Sequence, residues 1–191
     1  MGNLNSVKKA FNRIKQDVII TANHQELAAA SKLVLPGVGN FKLGMENLLK
    51  LGLVELLNEL VLIKKKPVLG ICLGMQLLTS HSEEGECDGL NWIEGKTIKF
   101  KFNRNADEPY LHIPHMGWNS LIPSGTHAIG QGLKNDDLVY FVHSYYVEPT
   151  NPQVRAATVT HGNQTFTAAI ADQNLMAVQF HPEKSSNVGL Q

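Results

Sequence analysis

Apolar positions in the first half of the chain switch repeatedly between two periods: short runs of adjacent apolar residues, and stretches with apolar residues three and four apart. Over residues 6–14, Val7, Ala10, Phe11 and Ile14 share one side of a helix, and Val18-Ile19-Ile20 predicts a strand. Asn23 stands where a side-chain cap would open a helix over 24–30. A strand at Leu33-Val34-Leu35 and a loop, Pro36-Gly37-Val38-Gly39, follow. Residues 40–62 carry a helical pattern broken near Gly52, residues 66–71 predict a strand, and a helix is expected from Leu73 to about Ser80. Such repeated units predict an α/β fold, a parallel twisted sheet with helices on both faces.

The second half is patterned differently. Residues 96–102, 138–142, 154–160 and 165–171 read as short strands, expected as antiparallel additions to the sheet, with a tight turn at Gly162-Asn163. Residues 175–180 read as a buried strand leading straight into His181-Pro182-Glu183.

With 191 residues and 43% hydrophobic content, the chain suits one domain with a sizeable core. Seventeen basic and seventeen acidic residues cancel and are scattered, which argues against nucleic acid or an anionic membrane as a partner. The basic run Lys64-Lys65-Lys66 is expected to end a helix rather than bind phosphate. No apolar stretch is long enough to span a bilayer. Two cysteines, Cys72 and Cys87, make no disulfide framework, and a reactive thiol needs a reducing compartment, so cytoplasm is expected.

Gly70-Ile71-Cys72-Leu73-Gly74, directly behind Pro67-Val68-Leu69, has the form of a nucleophile elbow. A sharp strand-to-helix turn would push the thiol out above the sheet, near the positive end of a helix dipole, which favours the nucleophilic thiolate. In an extended segment residues two apart point the same way, so His181 and Glu183 can lie together, the carboxylate orienting the imidazole. A Cys-His-Glu set performs acyl transfer: the imidazole takes the thiol proton and then supplies one to a departing amine. His112 and His115 invite a metal reading, but no further ligands stand at a zinc-site spacing, so neither a metal nor another cofactor is expected.

These motifs resemble the class I, triad-type glutamine amidotransferases. Pro36-Gly37-Val38-Gly39, the Cys72 elbow with Met75-Gln76-Leu77-Leu78, Pro114 to Asn119, His143-Ser144-Tyr145-Tyr146 and His181 to Ser186 are, within that class, similar to the glutaminase subunit of imidazole glycerol phosphate synthase. The resemblance implies a flavodoxin-like domain over residues 1–191, lacking the family's first strand and C-terminal helix. It implies a partner, the cyclase subunit of the synthase, in a heterodimer that receives ammonia made from L-glutamine and forms imidazole glycerol phosphate and AICAR. By resemblance Cys72 is the nucleophile, His181 the base and acid, and Glu183 the orienter. Val38 and Leu73 would give N–H groups to the oxyanion, and Gly37, Gly39, Gln76, Glu84, Ser144 and Tyr145 would surround glutamine. Glu84 suits the substrate's ammonium, although Glu83 and Glu86 are adjacent acids. Met116, Trp118, Asn119 and Lys184 would face the partner. Asn5 replaces the family's more usual arginine, which leaves open an ammonia supply for amidine formation on a surface sugar. A stand-alone cysteine hydrolase is the further alternative.

Overall fold

The computed structural model describes residues 4–102, 112–124 and 127–191. Residues 1–3 lie outside them. The first helix, α1 (Leu4–Arg13), is followed by α2 (His24–Ala29), whose first two free N–H groups, those of Gln25 and Glu26, donate to the Asn23 side chain. Strand β1 (Leu33–Gly37) leads to α3 (Phe41–Lys50), capped by the Asn40 side chain on the Leu43 N–H. Gly52, at φ 62, ends that helix in the left-handed region and starts α4 (Leu53–Asn58), extended by a π-helical turn, Glu59–Ile63. The break expected near Gly52 therefore exists.

Strand β2 (Val68–Cys72) passes without a linker into α5 (Leu73–Leu77). Then come β3 (Thr79–Ser82), β4 (Cys87–Asp88), β5 (Ile93–Lys99), β6 (His115–Ser120) and β7 (Ile122–Pro123). The remaining strands are β8 (Leu138–His143), β9 (Tyr145–Pro149), β10 (Arg155–His161), β11 (Gln164–Asp172) and β12 (Leu175–Val178).

The main sheet has the order β1-β2-β12-β11-β10-β7. Only β1, β2 and β12 run parallel; β11, β10 and β7 continue antiparallel, as expected of the second half. Apolar residues alternate across this sheet into two cores. Val68, Ile170 and Ala177 join Phe41, Leu48, Leu57 and Met75 on the side of α3, α4 and α5. Ile71, Ala169 and Val178 join Val7, Phe100, Phe141 and Phe166 on the other side. That second face is covered by α1 together with the aromatic pair β6–β8, so helices lie on both faces and antiparallel strands of the second half are added to them.

Two local expectations are corrected. Val18-Ile19-Ile20 forms no strand; Ile19 and Ile20 are exposed and have no pairing partner among the described residues, and β-branched propensity without a neighbouring strand makes no ladder. The helix after Cys72 stops at Leu77 because Thr79–Ser82 is drawn into a second sheet, order β4-β3-β5-β9. Lys64 ends its helix by pairing with Glu59 at 2.8 Å, whereas Lys66 reaches back to cap α2, its ammonium donating to the carbonyls of Leu27, Ala28 and Ala30.

Candidate active site

Where β2 meets α5, Cys72 adopts φ 53 and ψ −108, outside the ordinary regions for a residue with a Cβ. The turn is possible because its flanking residues are glycines. A Cβ on Gly74 would lie 1.7 Å from the Leu35 carbonyl oxygen, and one on Gly70 would lie 3.0 Å from the Gly74 backbone. Helix α5 can thus press directly on β1 and β2. Strain of this kind persists where the surrounding packing enforces it, and here it presents the Cys72 side chain to a cleft.

His181 follows β12 with extended backbone, φ −102 and ψ 96, as the sequence suggested, but Glu183 lies in a 3-10 turn, Pro182–Lys184, that begins at the next residue. The turn, not strand alternation, brings His181 Nδ1 to 2.8 Å from Glu183 Oε1, with both side chains buried. Since a carboxylate accepts, Nδ1 carries the hydrogen and Nε2 is the nitrogen left for chemistry. That Nε2, like Glu183 Oε2, is buried without a hydrogen-bond partner among the described residues. The backbone of His181 is clamped to β8: its N–H donates to the Tyr140 carbonyl at 2.9 Å, and its carbonyl accepts from Ser185 Oγ at 2.6 Å. Ser185 Oγ in turn accepts from the Tyr140 N–H at 3.0 Å, a role the sequence reading did not assign.

Burial alone would push the His181 pKa down, but the Cys72 sulfur and the Glu183 carboxylate outweigh it and hold it up to about 9. Two other histidines go the opposite way: burial pushes His143 down to about 3, and burial with neighbouring His161 pushes His115 down to about 4. In the unfolded chain all three histidines share the ordinary value of 6.5. His181 binds its proton more tightly in the fold, so its contribution to stability is complete below pH 6.5 and is lost as pH rises toward 9. His143 and His115 stay neutral in the fold while the unfolded chain takes up protons, so their contribution is complete above pH 6.5 and is lost as pH falls toward 4 and 3. The melting temperature is expected to peak near pH 6.5 and decline on both sides, as calorimetry between pH 4 and pH 9 would read; a profile rising steadily across that range contradicts the assignment.

The cleft has a volume of about 300 Å³, at the lower end of the range of small-molecule sites. It brings together most of the residues singled out in the sequence: Val38, Gly39, Cys72, Leu73, Gln76, Glu84, Ser144, Tyr145 and His181. Gly37 lies one residue back, against Leu73, where a Cβ would meet the leucine side chain at 3.1 Å, and it lines a small recess with Val38 behind His181 and Glu183. The first N–H groups of α5, beginning with Leu73, have no partner within the helix and sit beside the thiol.

The three adjacent acids are separated by the fold. Glu83 accepts from the Lys99 N–H at 2.8 Å and pairs with Lys101, which lowers its pKa, and Glu86 reaches exposed His81. Glu84 alone lines the cleft, its Oε2 also accepting from the Phe41 N–H at 2.7 Å.

Of the residues expected at a partner surface, Met116 and Trp118 stand out from β6 with 61% and 51% of their surface exposed. Lys184 is exposed over the Tyr140 ring, 5.5 Å from its centre. Asn119 turns inward instead: its Nδ2 donates to the Thr160 carbonyl at 2.8 Å and lies 3.2 Å from His115 Nε2. No metal cluster forms among the described residues, and His115 is bound to His143 rather than poised with His112. One buried polar residue was missed: Gln179, fully buried, with its Nε2 3.7 Å from the Cys72 sulfur. It was hidden within an apolar run read as strand, and no sequence signal marks its direction.

Fold and site define a class. The family model described as "Glutamine amidotransferase class-I" matches residues 2–190. A crystal structure described as a glutamine amidotransferase superposes with a TM-score of 0.75 at 16% identity, covering 99% of this chain and 90% of the other. The imidazole glycerol phosphate synthase subunit HisH of Trichormus variabilis is 51% identical over 192 residues, covering 100% of this chain and 88% of that protein. The subunit HisH 1 of Campylobacter jejuni is 48% identical over 190 residues, covering 99% and 91%. The chain belongs to the class I glutamine amidotransferases and, among them, to the HisH family of glutaminase subunits.

Proposed function

We propose that the chain hydrolyses glutamine to glutamate and ammonia at Cys72 and delivers the ammonia to a cyclase subunit that makes imidazole glycerol phosphate and AICAR in histidine biosynthesis. The observation that carries this reading is the buried His181–Glu183 pair, 2.8 Å apart, whose imidazole lines the same cleft as Cys72 and Glu84. The Cys72 thiolate attacks the side-chain amide carbon of glutamine, and the carbonyl oxygen becomes an oxyanion facing the N–H groups of Leu73 and Val38. His181, carrying the proton from the thiol, gives it to the amine, the carbon–nitrogen bond breaks, and ammonia leaves a glutamyl thioester on Cys72. A water molecule, deprotonated by His181, attacks the thioester, and glutamate leaves as the thiolate returns.

Glu84 pairs with the substrate's ammonium, and Gln76, Gly39, Ser144 and Tyr145 line the space beside it. Glu84→Gln keeps an acceptor for the Phe41 N–H but removes the charge. Its KM for glutamine is expected to rise about tenfold or more with a smaller change in kcat; steady-state kinetics with an unchanged KM contradict the role of Glu84.

A protein partner is supported by the exposed apolar side chains beside the cleft. Val38, Ile113, Met116, Trp118 and Leu138 are each more than one third exposed. An apolar group of this kind, with an aromatic anchor, suits a subunit interface. The free thiols Cys72 and Cys87 fit a reducing compartment, the cytoplasm. Rapid mixing with glutamine followed by mass spectrometry tests the chemistry directly. A glutamyl group on the Cys72 peptide, absent in Cys72→Ala, is expected; its absence at every mixing time counts against the thioester route.

A further inference from the structure

Gln179 is fully buried between Val178 and Phe180, in a position where an apolar side chain would fill the core at no polar cost. Its two polar ends are both engaged. Oε1 is 3.1 Å from Gln76 Nε2, and Nε2 is 3.7 Å from the Cys72 sulfur. The direction of these bonds follows from the Tyr145 carbonyl, which can only accept. It lies 2.9 Å from the Gln76 amide, so nitrogen and not oxygen must face it. The second N–H of that nitrogen reaches Gln179 Oε1, which turns the Gln179 nitrogen toward sulfur. The Tyr145 carbonyl is itself fixed by His143 Nδ1 at 2.8 Å, and His143 Nε2 is 3.1 Å from His115 Nδ1.

We propose that Gln179 is a donor to the nucleophile: its side-chain N–H holds the Cys72 sulfur and stabilises it as thiolate. The proposal deepens the reading of Cys72 as nucleophile given above. Negative charge on sulfur strengthens such a bond, and acylation removes that charge. The same donor therefore favours both the attacking thiolate and its return as leaving group when the thioester is hydrolysed. The other titratable groups around the sulfur are His181, with Glu183 behind it, and His143, Tyr145 and Glu84 across the cleft.

The test is the pH dependence of Cys72 alkylation by iodoacetamide in the full chain, read on the Cys72 peptide so that Cys87 does not contribute. Gln179→Met keeps the volume and removes the donor. Its alkylation midpoint is expected about one pH unit above the wild type, which is about tenfold less thiolate at lower pH. A folded variant with the wild-type midpoint overturns the proposal, because a merely structural amide would lower the melting temperature and leave the midpoint in place. If the variant does not fold, the wild type decides. The side-chain amide protons of Gln179 in a nitrogen-15 spectrum are expected to titrate with the alkylation midpoint of Cys72, and amide signals that stay fixed through it overturn the assignment. No glutamine or partner enters either measurement, so a chain that releases no ammonia yet shows the shift would refute the proposed function and leave Gln179 standing.

Discussion

Cys72→Ala is expected to lower ammonia release from glutamine by about 10,000-fold or more, because among the described residues that line the cleft Cys72 is the only thiol, and it stands at the elbow beside His181. Geometry makes this a clean experiment. The backbone at φ 53 is as unfavourable for alanine as for cysteine, so the substitution neither relieves nor adds strain at the elbow. Removing one sulfur from a residue already 6% exposed leaves little room to collapse, and the melting temperature should fall by only a few degrees. His181 should respond as well: without the sulfur, burial is opposed by Glu183 alone, and its pKa is expected to drop from about 9. A histidine titration followed by NMR would show it. Residual activity within tenfold of wild type would place the nucleophile elsewhere.

Gly74→Ala is expected to be the most damaging small substitution in the fold. The added methyl would sit 1.7 Å from the Leu35 carbonyl oxygen and 2.8 Å from its carbon, and these are backbone atoms of β1 that cannot rotate away. Either α5 lifts off the sheet or β1 shifts against β2, with which it pairs in register from Leu33 opposite Val68 to Gly37 opposite Cys72. Overpacking usually costs about 1–3 kcal/mol, and a clash with backbone on this scale belongs at or above the upper end. Because the same movement displaces Cys72, activity should fall further than stability alone explains. Chemical denaturation with parallel assays checks both; a variant as stable as wild type would mean that the elbow does not pack as described.

Much of this arrangement was legible in the amino-acid sequence because its signals are local. The elbow announces itself through glycines that flank a thiol, the start of α2 through Asn23, and the triad through a strand that runs into His181 and Glu183. What was not legible depends on contacts between distant segments. Val18-Ile19-Ile20 has strand composition but no strand beside it among the described residues, and composition cannot supply one. Glu83, Glu84 and Glu86 are indistinguishable by type, and only the turn after β3 sends Glu84 to the cleft and the others outward. Asn119 sits among exposed Met116 and Trp118, yet the pleat of β6 and its pairing with β8 turn its amide inward onto Thr160. Gln179 follows the same logic: a polar residue in an apolar run becomes meaningful only when Gln76 and Cys72, each more than one hundred positions away, are brought beside it. His181 and Glu183 meet because a 3-10 turn follows the extended His181, and the strand alternation visible in the sequence does not by itself close the 2.8 Å bond.

The central claim is that the Cys72–His181–Glu183 site releases ammonia from glutamine for use by a cyclase subunit. The measurement that meets it most directly is ammonia release by the purified chain, alone and mixed with the cyclase subunit and its nucleotide substrate, with Cys72→Ala in parallel. Strong activation in the complete mixture, abolished in the variant, is the expected result. Ammonia release that is equally fast without the cyclase, or that survives in Cys72→Ala, would contradict the account.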